Sequence, residues 1–472
     1  MIWKLDRPKP ALPSSYFWTW DHSTNWVLDD PGIQNERCQN MYLKRPETFL
    51  SDYRQLTDLA AGLGVKGVLI WGFLRDSHGG VEYAKRVADY AASKGVAMMP
   101  GVGTTGYGGV YYEGDHKYNI ETFMKENPEV RMTRADGSKE VHVSGGFESR
   151  FACPLHPLFK EWLAEGMQWL FREFEIGGAN IENGDLMVCH CERCKEHKKN
   201  WPASDPDFFR MQGLSYDTAL KSIEPLLTKK LVTWAAYSGF LPGDGPRAKL
   251  GDIVHMGCQE PALIKRMPQE AIGQWTLTWM VREQPLPLTA YLDHGAPKEV
   301  FDNPSWPEGV RPPGKRTVGF LHQGSQSFRE RRYDQVVSAI KEGCLRAHRS
   351  GLEGVSIHGE LTSRHIPAAL NYLAFSHFIH YPEDTMREFG RKTMGQVLGS
   401  ENEGERFAEI FAHWDAGTLT DAMKKEAGSM AVKLGIGVAA KGENFTGFRF
   451  WNWLGKSVYA SHYLERHTQS FF

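Results

Sequence analysis

The chain has 472 residues, of which 41% are hydrophobic, and this length allows two or three domains or one barrel with insertions and a terminal helical region. Lysine and arginine number 55 against 57 acidic residues, so the formal net charge is -2. This balance excludes a general attraction to nucleic acid or to an anionic membrane. No segment approaches the roughly 20 apolar residues of a membrane span, and residues 1–15 lack a signal-peptide core. We therefore expect a soluble protein, cytoplasmic or of undetermined location.

Three of the seven cysteines, Cys189, Cys191 and Cys194, are clustered. An odd total with such clustering does not fit a disulfide framework, which indicates a reducing compartment. With His190 or His197 the cluster has the ligand types of a zinc site, although a second cysteine pair at the usual spacing is missing. A helix-capping or core cluster without metal is the alternative. We count no metal ligand among the expected site residues and expect no cofactor.

Apolar runs that end in polar residues alternate with segments of helical periodicity along most of the chain. This alternation favours a (β/α)8 TIM barrel over an open doubly wound sheet. No GxGxxG motif lies between the first strand and helix, and no GxxxxGK[ST] motif occurs, so dinucleotide and P-loop folds lose their main support. The predicted strands are 15–20, 67–73, 96–100, 179–182, 231–240, 253–257, 271–280, 317–322 and 354–358. The predicted helices between them are 46–66, 80–94, 157–174, 205–230 and 333–349.

Two regions depart from this alternation. Residues 101–156 form a long third βα loop rich in glycine and tyrosine, and we expect it to be the wall or lid of a site. Beyond Pro367 the chain is mostly helical. We therefore divide it into a catalytic barrel with inserted loops, 1–383, and a C-terminal helical region packed on the barrel, 384–472. An aromatic patch at 448–453 is expected to pack on the barrel or on a second subunit, as in a homodimer.

The polar tips of the predicted strands hold the candidate carboxylates. The carboxyl ends of barrel strands open onto one pocket, so Asp21, Glu182 and Glu360 are expected to meet there. Two carboxylates across such a mouth are the usual machinery of glycoside hydrolysis, one as acid and one as nucleophile or base. The alternatives are a turn or N-cap role for Asp21, and for either glutamate the binding of substrate hydroxyls or the support of an arginine or histidine. Tryptophans around Asp21 favour a sugar site.

Other candidates come from the third loop and the strand ends. His142 lies in the third loop and is a candidate general base, because histidine is the side chain that ordinarily titrates near working pH; an exposed loop histidine is the alternative. Guanidinium groups match a substrate carboxylate, although a solvated surface role is common for any one arginine. The candidate substrate-binding residues are His22, Arg134, Asn183, Arg210, His322 and His358.

Four motifs carry a resemblance to known proteins: NPEVRMTRADG at 127–137, CPLHPLFKEWLAEGMQWLFREF at 153–174, GANIENGD at 178–185 and CHCERC at 189–194. Covering about the first half of the chain, they resemble barrel glycoside hydrolases, most specifically the inverting exo-sialidases of glycoside hydrolase family 156. The resemblance implies that Asp21 and His142 form the catalytic pair, and that Arg210, with Arg134, holds the sialic acid carboxylate. Glu182 and Glu360 depart from this pattern.

The resemblance thus implies an exo-sialidase that releases terminal sialic acid with inversion, with a sialylated glycan or another small saccharide as its partner. One alternative is another exo-glycosidase on the same barrel, using Glu182 and Glu360 on a neutral or uronic sugar. A second is a carbohydrate-binding barrel without catalysis. An aldolase-like or isomerase-like barrel is disfavoured because no Schiff-base lysine stands out at a strand end.

Overall fold

The structure is a computed structural model of the chain. It describes residues 3–24, 26, 44–139, 142–144, 147–149, 151–182, 188–199, 207–236, 238–240, 253–255, 267–277, 316–325, 336–363 and 366–433. Among these residues, none of the helices has both the length and the apolar content needed to cross a bilayer.

The described residues form twelve strands, and eight of them close into a parallel barrel in the spatial order β1, β2, β3, β6, β7, β10, β11, β12. Each barrel strand pairs with the next one along the chain, and β12 closes on β1. The predicted (β/α)8 TIM barrel is confirmed. The strands are β1 Tyr16–Trp20, β2 Gly67–Trp71, β3 Ala97–Gly103, β4 His142–Ser144, β5 Phe147–Ser149, β6 Gly178–Glu182, β7 Leu231–Ala236, β8 Ser238–Phe240, β9 Ile253–His255, β10 Ile272–Thr276, β11 Thr317–Ser325 and β12 Gly354–Gly359.

One predicted strand, 253–257, does not belong to the barrel. Its residues Ile253–His255 pair antiparallel with Ser238–Phe240 in a separate two-stranded ribbon. The predicted strand 231–240 accordingly divides into β7, which is in the barrel, and β8, which is in the ribbon. A short apolar run predicts extended backbone but not its partner, which explains the error.

The helices lie between the barrel strands and continue beyond them. They are α1 Pro46–Leu63, α2 Gly80–Ser93, α3 Ile120–Glu126, α4 Pro157–Glu173, α5 Glu192–Lys198, α6 Asp207–Ser222, α7 Val337–Arg349, α8 Ile366–His380, α9 Met386–Glu388, α10 Gly395–Leu398, α11 Glu401–Asp415 and α12 Asp421–Lys433. A π-helical segment, Phe389–Met394, joins α9 to α10. The predicted helix 205–230 ends early, at Ser222, because Pro225 cannot continue an α-helix and a separate 3-10 turn, Glu224–Leu226, follows.

Helix α1 shows how the sequence fixes these elements. Pro46 occupies its first turn, where a missing N–H costs no hydrogen bond, and Gly64 ends it with a φ of 67°, which is left-handed. Its buried residues, Phe49, Tyr53 and Leu56 among them, recur at helical spacing and face the strands. The core between the strands and α1 is therefore built from one face of that helix, whereas α8 is buried at every position from 368 to 380.

The barrel interior holds a polar layer below its aromatic mouth. The Asn180 side-chain amide donates to Thr233 Oγ1 and to Gln274 Oε1, each over 2.8 Å. These residues lie on β6, β7 and β10 and are buried. Buried polar groups require such partners, so this layer sets how the three strands align.

The helices after α8 pack against one another and contact the N-terminal segment. Asp6 N donates to Gln396 Oε1 over 2.7 Å, and Arg406 forms a salt bridge from α11 to Glu426 on α12. The division at 383/384 stays a prediction. The aromatic patch at 448–453, with its expected second-subunit contact, lies outside the described residues.

Candidate functional site

The three predicted carboxylates lie at the carboxyl ends of barrel strands and all are buried. Asp21 follows β1, Glu182 ends β6 and Glu360 follows β12, with exposed fractions of 2%, 6% and 0%. Asp21 and Glu360 belong to adjacent strands, and Trp20 N donates to Glu360 Oε1 over 3.2 Å. The carboxyl ends of the strands border the mouth where (β/α)8 enzymes hold their substrates.

Asp21 is held by three basic side chains. Lys44 Nζ lies 3.0 Å from Oδ1, while His78 Nε2 and Arg75 Nε lie 3.4 Å and 3.7 Å from Oδ2. Burial alone would raise the pKa of Asp21, but Lys44, His78 and Arg75 together lower it to about 2. Asp21 is therefore ionised at every working pH and cannot serve as a proton donor.

The surroundings of Asp21 were not predicted from the sequence. Lys44 bridges Asp21 to Asp52, at 2.8 Å from Asp52 Oδ2. Arg75 also contacts Glu113, at 2.5 Å, and stacks on Tyr112, with 4.6 Å between guanidinium carbon and ring centre. The polar residues that follow β2, Arg75 and His78 among them, were the sequence feature that could have indicated these contacts. No sequence feature indicated that Lys44 would contact Asp21.

The turn after β2 brings Arg75 and His78 to Asp21. Gly72 has a φ of 90°, and a Cβ there would lie 2.6 Å from Arg75 Nε, so only glycine fits. His78 Nε2 lies 3.0 Å from Gly72 O. Because both neighbours of Nε2 are acceptors, this nitrogen carries the hydrogen. Burial lowers the pKa of His78, so Lys44 and Arg75 supply the positive charge around Asp21.

The two carboxylate oxygens of Glu360 differ in their hydrogen bonding. Its Oε1 accepts the hydrogen bond from Trp20 N and lies 3.1 Å from His358 Nδ1. Its Oε2 is buried and has no hydrogen-bond partner among the residues that the structure describes. A buried carboxylate oxygen without a partner is costly, and such groups occur where a substrate or a water completes the site.

Aromatic rings line the end of the barrel at Trp20, the residue before Asp21. Trp20 packs against Trp18 and Trp71, with ring centres 5.1 Å and 5.2 Å apart, and Tyr107 meets both Trp20 and Trp71 edge-on. Gly101 makes room for this wall, since a Cβ there would lie 2.5 Å from the Trp71 ring. Tyr107 is the non-glycine residue with a positive φ, 49°, among the described residues. Strained backbone of this kind is concentrated at functional sites.

Among the three histidines predicted at strand ends, the structure describes the side chains of His22 and His358 but not that of His322. His22 is buried beside Trp20, and burial, with a contribution from Arg75, lowers its pKa to about 3. It is therefore neutral at working pH, and its role in substrate binding stays a prediction. His358 supports Glu360 through its Nδ1. His322 lies within β11, and its side chain is outside the described residues.

The remaining candidates are placed only in part. His142 begins β4, where it pairs with Ser149 of β5 in a ribbon of the third loop, and its side chain is outside the described residues. The same holds for the side chain of Arg210 on α6 and for all of Asn183. Arg134 is half-buried in a turn that its N–H closes by donating to Ser138 O. Their roles stay predictions.

A different group has the composition of a metal site. The Sγ atoms of Cys153, Cys189, Cys191 and Cys194 all lie within 4.8 Å of one another. Cys153 could not be assigned to the cluster from the sequence, because α4 and β6 separate it from the other three cysteines. His190 and His197, the histidines expected as possible ligands, are not in this group. Such a set of soft donors suits zinc or iron rather than magnesium or calcium.

Comparison with models of protein families finds no match, and comparison with curated proteins finds none. Solved structures similar to this chain include a maltogenic alpha-amylase from Thermotoga neapolitana, with 12% identity over 80% of this chain and 78% of that one and a TM-score of 0.43. An exo beta-N-acetylglucosaminidase from Vibrio harveyi has 10% identity, coverages of 86% and 58%, and a TM-score of 0.43. An alpha-amylase from Geobacillus thermoleovorans has 8% identity, coverages of 81% and 81%, and a TM-score of 0.45.

The chain spans less than two thirds of the Vibrio protein that it matches. Likenesses at this level carry no information on substrate or mechanism. The assignment of the (β/α)8 barrel depends on the observed strand pairing alone.

Proposed function

We propose that the chain is a glycoside hydrolase whose active site is the mouth at the carboxyl ends of the barrel strands. The observation that carries this proposal is the pair of buried carboxylates on adjacent strands, Asp21 and Glu360, in unlike surroundings. Asp21 is held ionised by Lys44 and Arg75, whereas Glu360 keeps one oxygen without a partner among the described residues. Carboxylates with distinct environments beside an aromatic wall suit the acid, base and binding roles of glycoside hydrolysis.

The specific activity that we propose is exo-sialidase activity with inversion. Its support is the motif resemblance, together with the pKa of Asp21, which suits a carboxylate that orients a base or a water. In this mechanism His142 removes a proton from water while the water oxygen bonds to the anomeric carbon. The glycosidic C–O bond breaks, and the leaving oxygen takes a proton from solvent. The substrate carboxylate, bound by Arg210 and Arg134, stabilises the positive charge that develops at that carbon.

A second candidate function follows from Glu360 Oε2, which has no partner within the part of the chain that the structure describes. An ordinary two-carboxylate glycosidase acting on a neutral or uronic sugar would use Glu360 and Glu182, which both lie at strand ends. The two candidates demand different residues, so variants separate them. A carbohydrate-binding barrel is a third candidate and would turn over no glycoside at all.

The test is the hydrolysis of a panel of 4-methylumbelliferyl glycosides that includes the α-sialoside, neutral hexosides and a β-glucuronide. We expect turnover of the sialoside, and a loss of about 10²–10⁴-fold in kcat on His142→Ala, as for removal of a general base. His348→Ala is the matched control, because His348 is exposed at the end of α7, before β12 begins. Full sialidase activity in His142→Ala would refute the His142 mechanism.

Glutamine variants of the two glutamates decide between the candidates. A sialidase that uses Asp21 and His142 retains hydrolysis of the bond in Glu182→Gln, whereas a two-carboxylate enzyme loses it. Glu224→Gln is the control, because Glu224 is exposed in the turn before β7. Turnover of a neutral or uronic glycoside alone, abolished by Glu182→Gln or Glu360→Gln, would replace the sialidase proposal with its rival.

A further inference from the structure

Four cysteine sulfurs converge at a point that the proposed glycosidase mechanism does not use. Cys153 Sγ lies 3.4 Å from Cys194 Sγ and 3.8 Å from Cys191 Sγ, and all four sulfurs lie within 4.8 Å of one another. None of the four forms a disulfide. A tetrahedral zinc with metal–sulfur bonds of about 2.3 Å places its sulfurs about 3.8 Å apart. The distances from Cys153 Sγ to Cys191 Sγ and to Cys194 Sγ are already close to this value.

The four cysteines come from two separate parts of the chain. Cys153 ends the long third loop, just before α4, while Cys189 and Cys191 precede α5 and Cys194 lies within it. The sulfurs are set in a small apolar cluster with Met132, Phe151 and Leu214. Cys153, Cys189 and Cys194 are buried, and Cys191 is half-buried. A shell of this kind excludes water and leaves sulfur as the available ligand.

We propose that Cys153, Cys189, Cys191 and Cys194 bind one structural zinc ion as a tetrahedral tetrathiolate. Each thiol gives its proton to solvent on binding, since the thiolate is the ligand. Four thiolates fill a tetrahedral shell, so no position is open for water or substrate, and the ion is structural. The ligand set includes Cys153 in place of the histidine of a Cys3His site.

The position of the site indicates what the ion does. Cys153 N donates to Val130 O over 2.7 Å, and Ala152 N donates to Thr105 O, next to the end of β3. On the other side His190 N donates to Thr133 O over 2.7 Å. The zinc therefore joins the third loop to the segment that follows β6, beyond Glu182. It holds together two loops that rise from neighbouring strands at the barrel mouth.

The first experiment measures metal in the purified full-length protein. We expect about one zinc per chain by elemental analysis. X-ray absorption at the zinc edge should show four sulfur ligands and no nitrogen, and the cobalt-substituted protein should show the intense bands of tetrahedral cobalt thiolate. Protein that was expressed with zinc supplied and binds none, that binds iron instead, or that carries a nitrogen ligand would overturn the proposal.

Variants assign the ligands. Cys153→Ser should lower the zinc content and weaken its retention against a chelator, whereas Cys344→Ser, which changes a buried cysteine on α7 outside the group, should retain zinc. Should Cys153→Ser fail to fold, the sulfur count from the wild-type absorption spectrum decides alone. Zinc content equal to wild type in folded Cys153→Ser would overturn the four-cysteine site. These measurements read metal and not turnover, so they stand or fall independently of the proposed glycosidase activity.

Discussion

The Lys44→Met variant tests the electrostatic design of the candidate site. Lys44 Nζ lies between two buried carboxylates, 3.0 Å from Asp21 Oδ1 and 2.8 Å from Asp52 Oδ2, and its side chain is 2% exposed. Removing one partner of a buried ion pair costs about 3–5 kcal/mol. Asp21 keeps Arg75 and His78 nearby. We therefore expect a loss near the lower end, about 3 kcal/mol at neutral pH.

The dependence on pH makes this prediction specific. In the folded protein the pKa of Asp21 is lowered from 3.8 to about 2. This lowering contributes about 2 kcal/mol of stability, at ~1.4 kcal/mol for each pKa unit. The contribution is fully present above the unfolded pKa of Asp21 and is lost as the pH falls from about 4 to about 2. In Lys44→Met one of the positive charges that oppose the effect of burial is missing, so the pKa of Asp21 in the folded state is higher than in the wild type. Asp21 of the folded variant therefore becomes protonated at a higher pH, which relieves the buried charge as the pH falls.

The difference in stability between wild type and Lys44→Met should therefore narrow between pH 7 and pH 4. Urea unfolding followed by tryptophan fluorescence at the two pH values measures it. Lys221→Met is the control, because the Lys221 side chain is exposed where it pairs with Asp217 and its loss should cost less than about 1 kcal/mol. A loss below about 1 kcal/mol for Lys44→Met, or a difference that is the same at both pH values, would refute the buried-network account.

Two further predictions concern the aromatic wall. Gly101→Ala should lower the free energy of unfolding by about 1–3 kcal/mol, because its Cβ would clash with the Trp71 ring. Gly273→Ala is the control and should cost less, because its Cβ would lie at an ordinary 3.5 Å from a tryptophan ring. Chemical denaturation compares the two variants, and equal losses of stability would contradict the clash at Gly101. Tyr107→Gly removes a ring from the wall and relieves the positive φ, so KM for the hydrolysed glycoside should rise while stability changes by less than about 1 kcal/mol. An unchanged KM would show that the ring does not bind substrate.

The barrel could be predicted from the sequence because its elements are locally encoded. Segments such as 67–73 and 157–174 carry their strand or helix pattern within a few residues, and the structure has β2 and α4 there. The ribbon at Ile253–His255 shows the limit, since a strand pattern does not name its partner. Local pattern thus predicts the element and its polar tip.

The contacts around each candidate residue could not be predicted, because they join segments far apart in the chain. Asp21 was predicted at a strand tip, but its partners Lys44 and Arg75 come from the segment before α1 and from the turn after β2. Cys153 is likewise separated from the other three cysteines in the sequence by α4 and β6. No spacing rule in one sequence gives such pairs. The lowered pKa of Asp21 depends on these contacts, so it could not be predicted from the sequence either.

We propose that the barrel mouth hydrolyses a terminal sialoside with inversion. The most direct measurement follows the digestion of an α-linked sialyl-lactose by proton NMR, with the anomers resolved before they interconvert. We expect the β anomer of free sialic acid to appear first, and His142→Ala to release none. Release of the α anomer first, or no release of sialic acid while a neutral or uronic glycoside is hydrolysed, would contradict it.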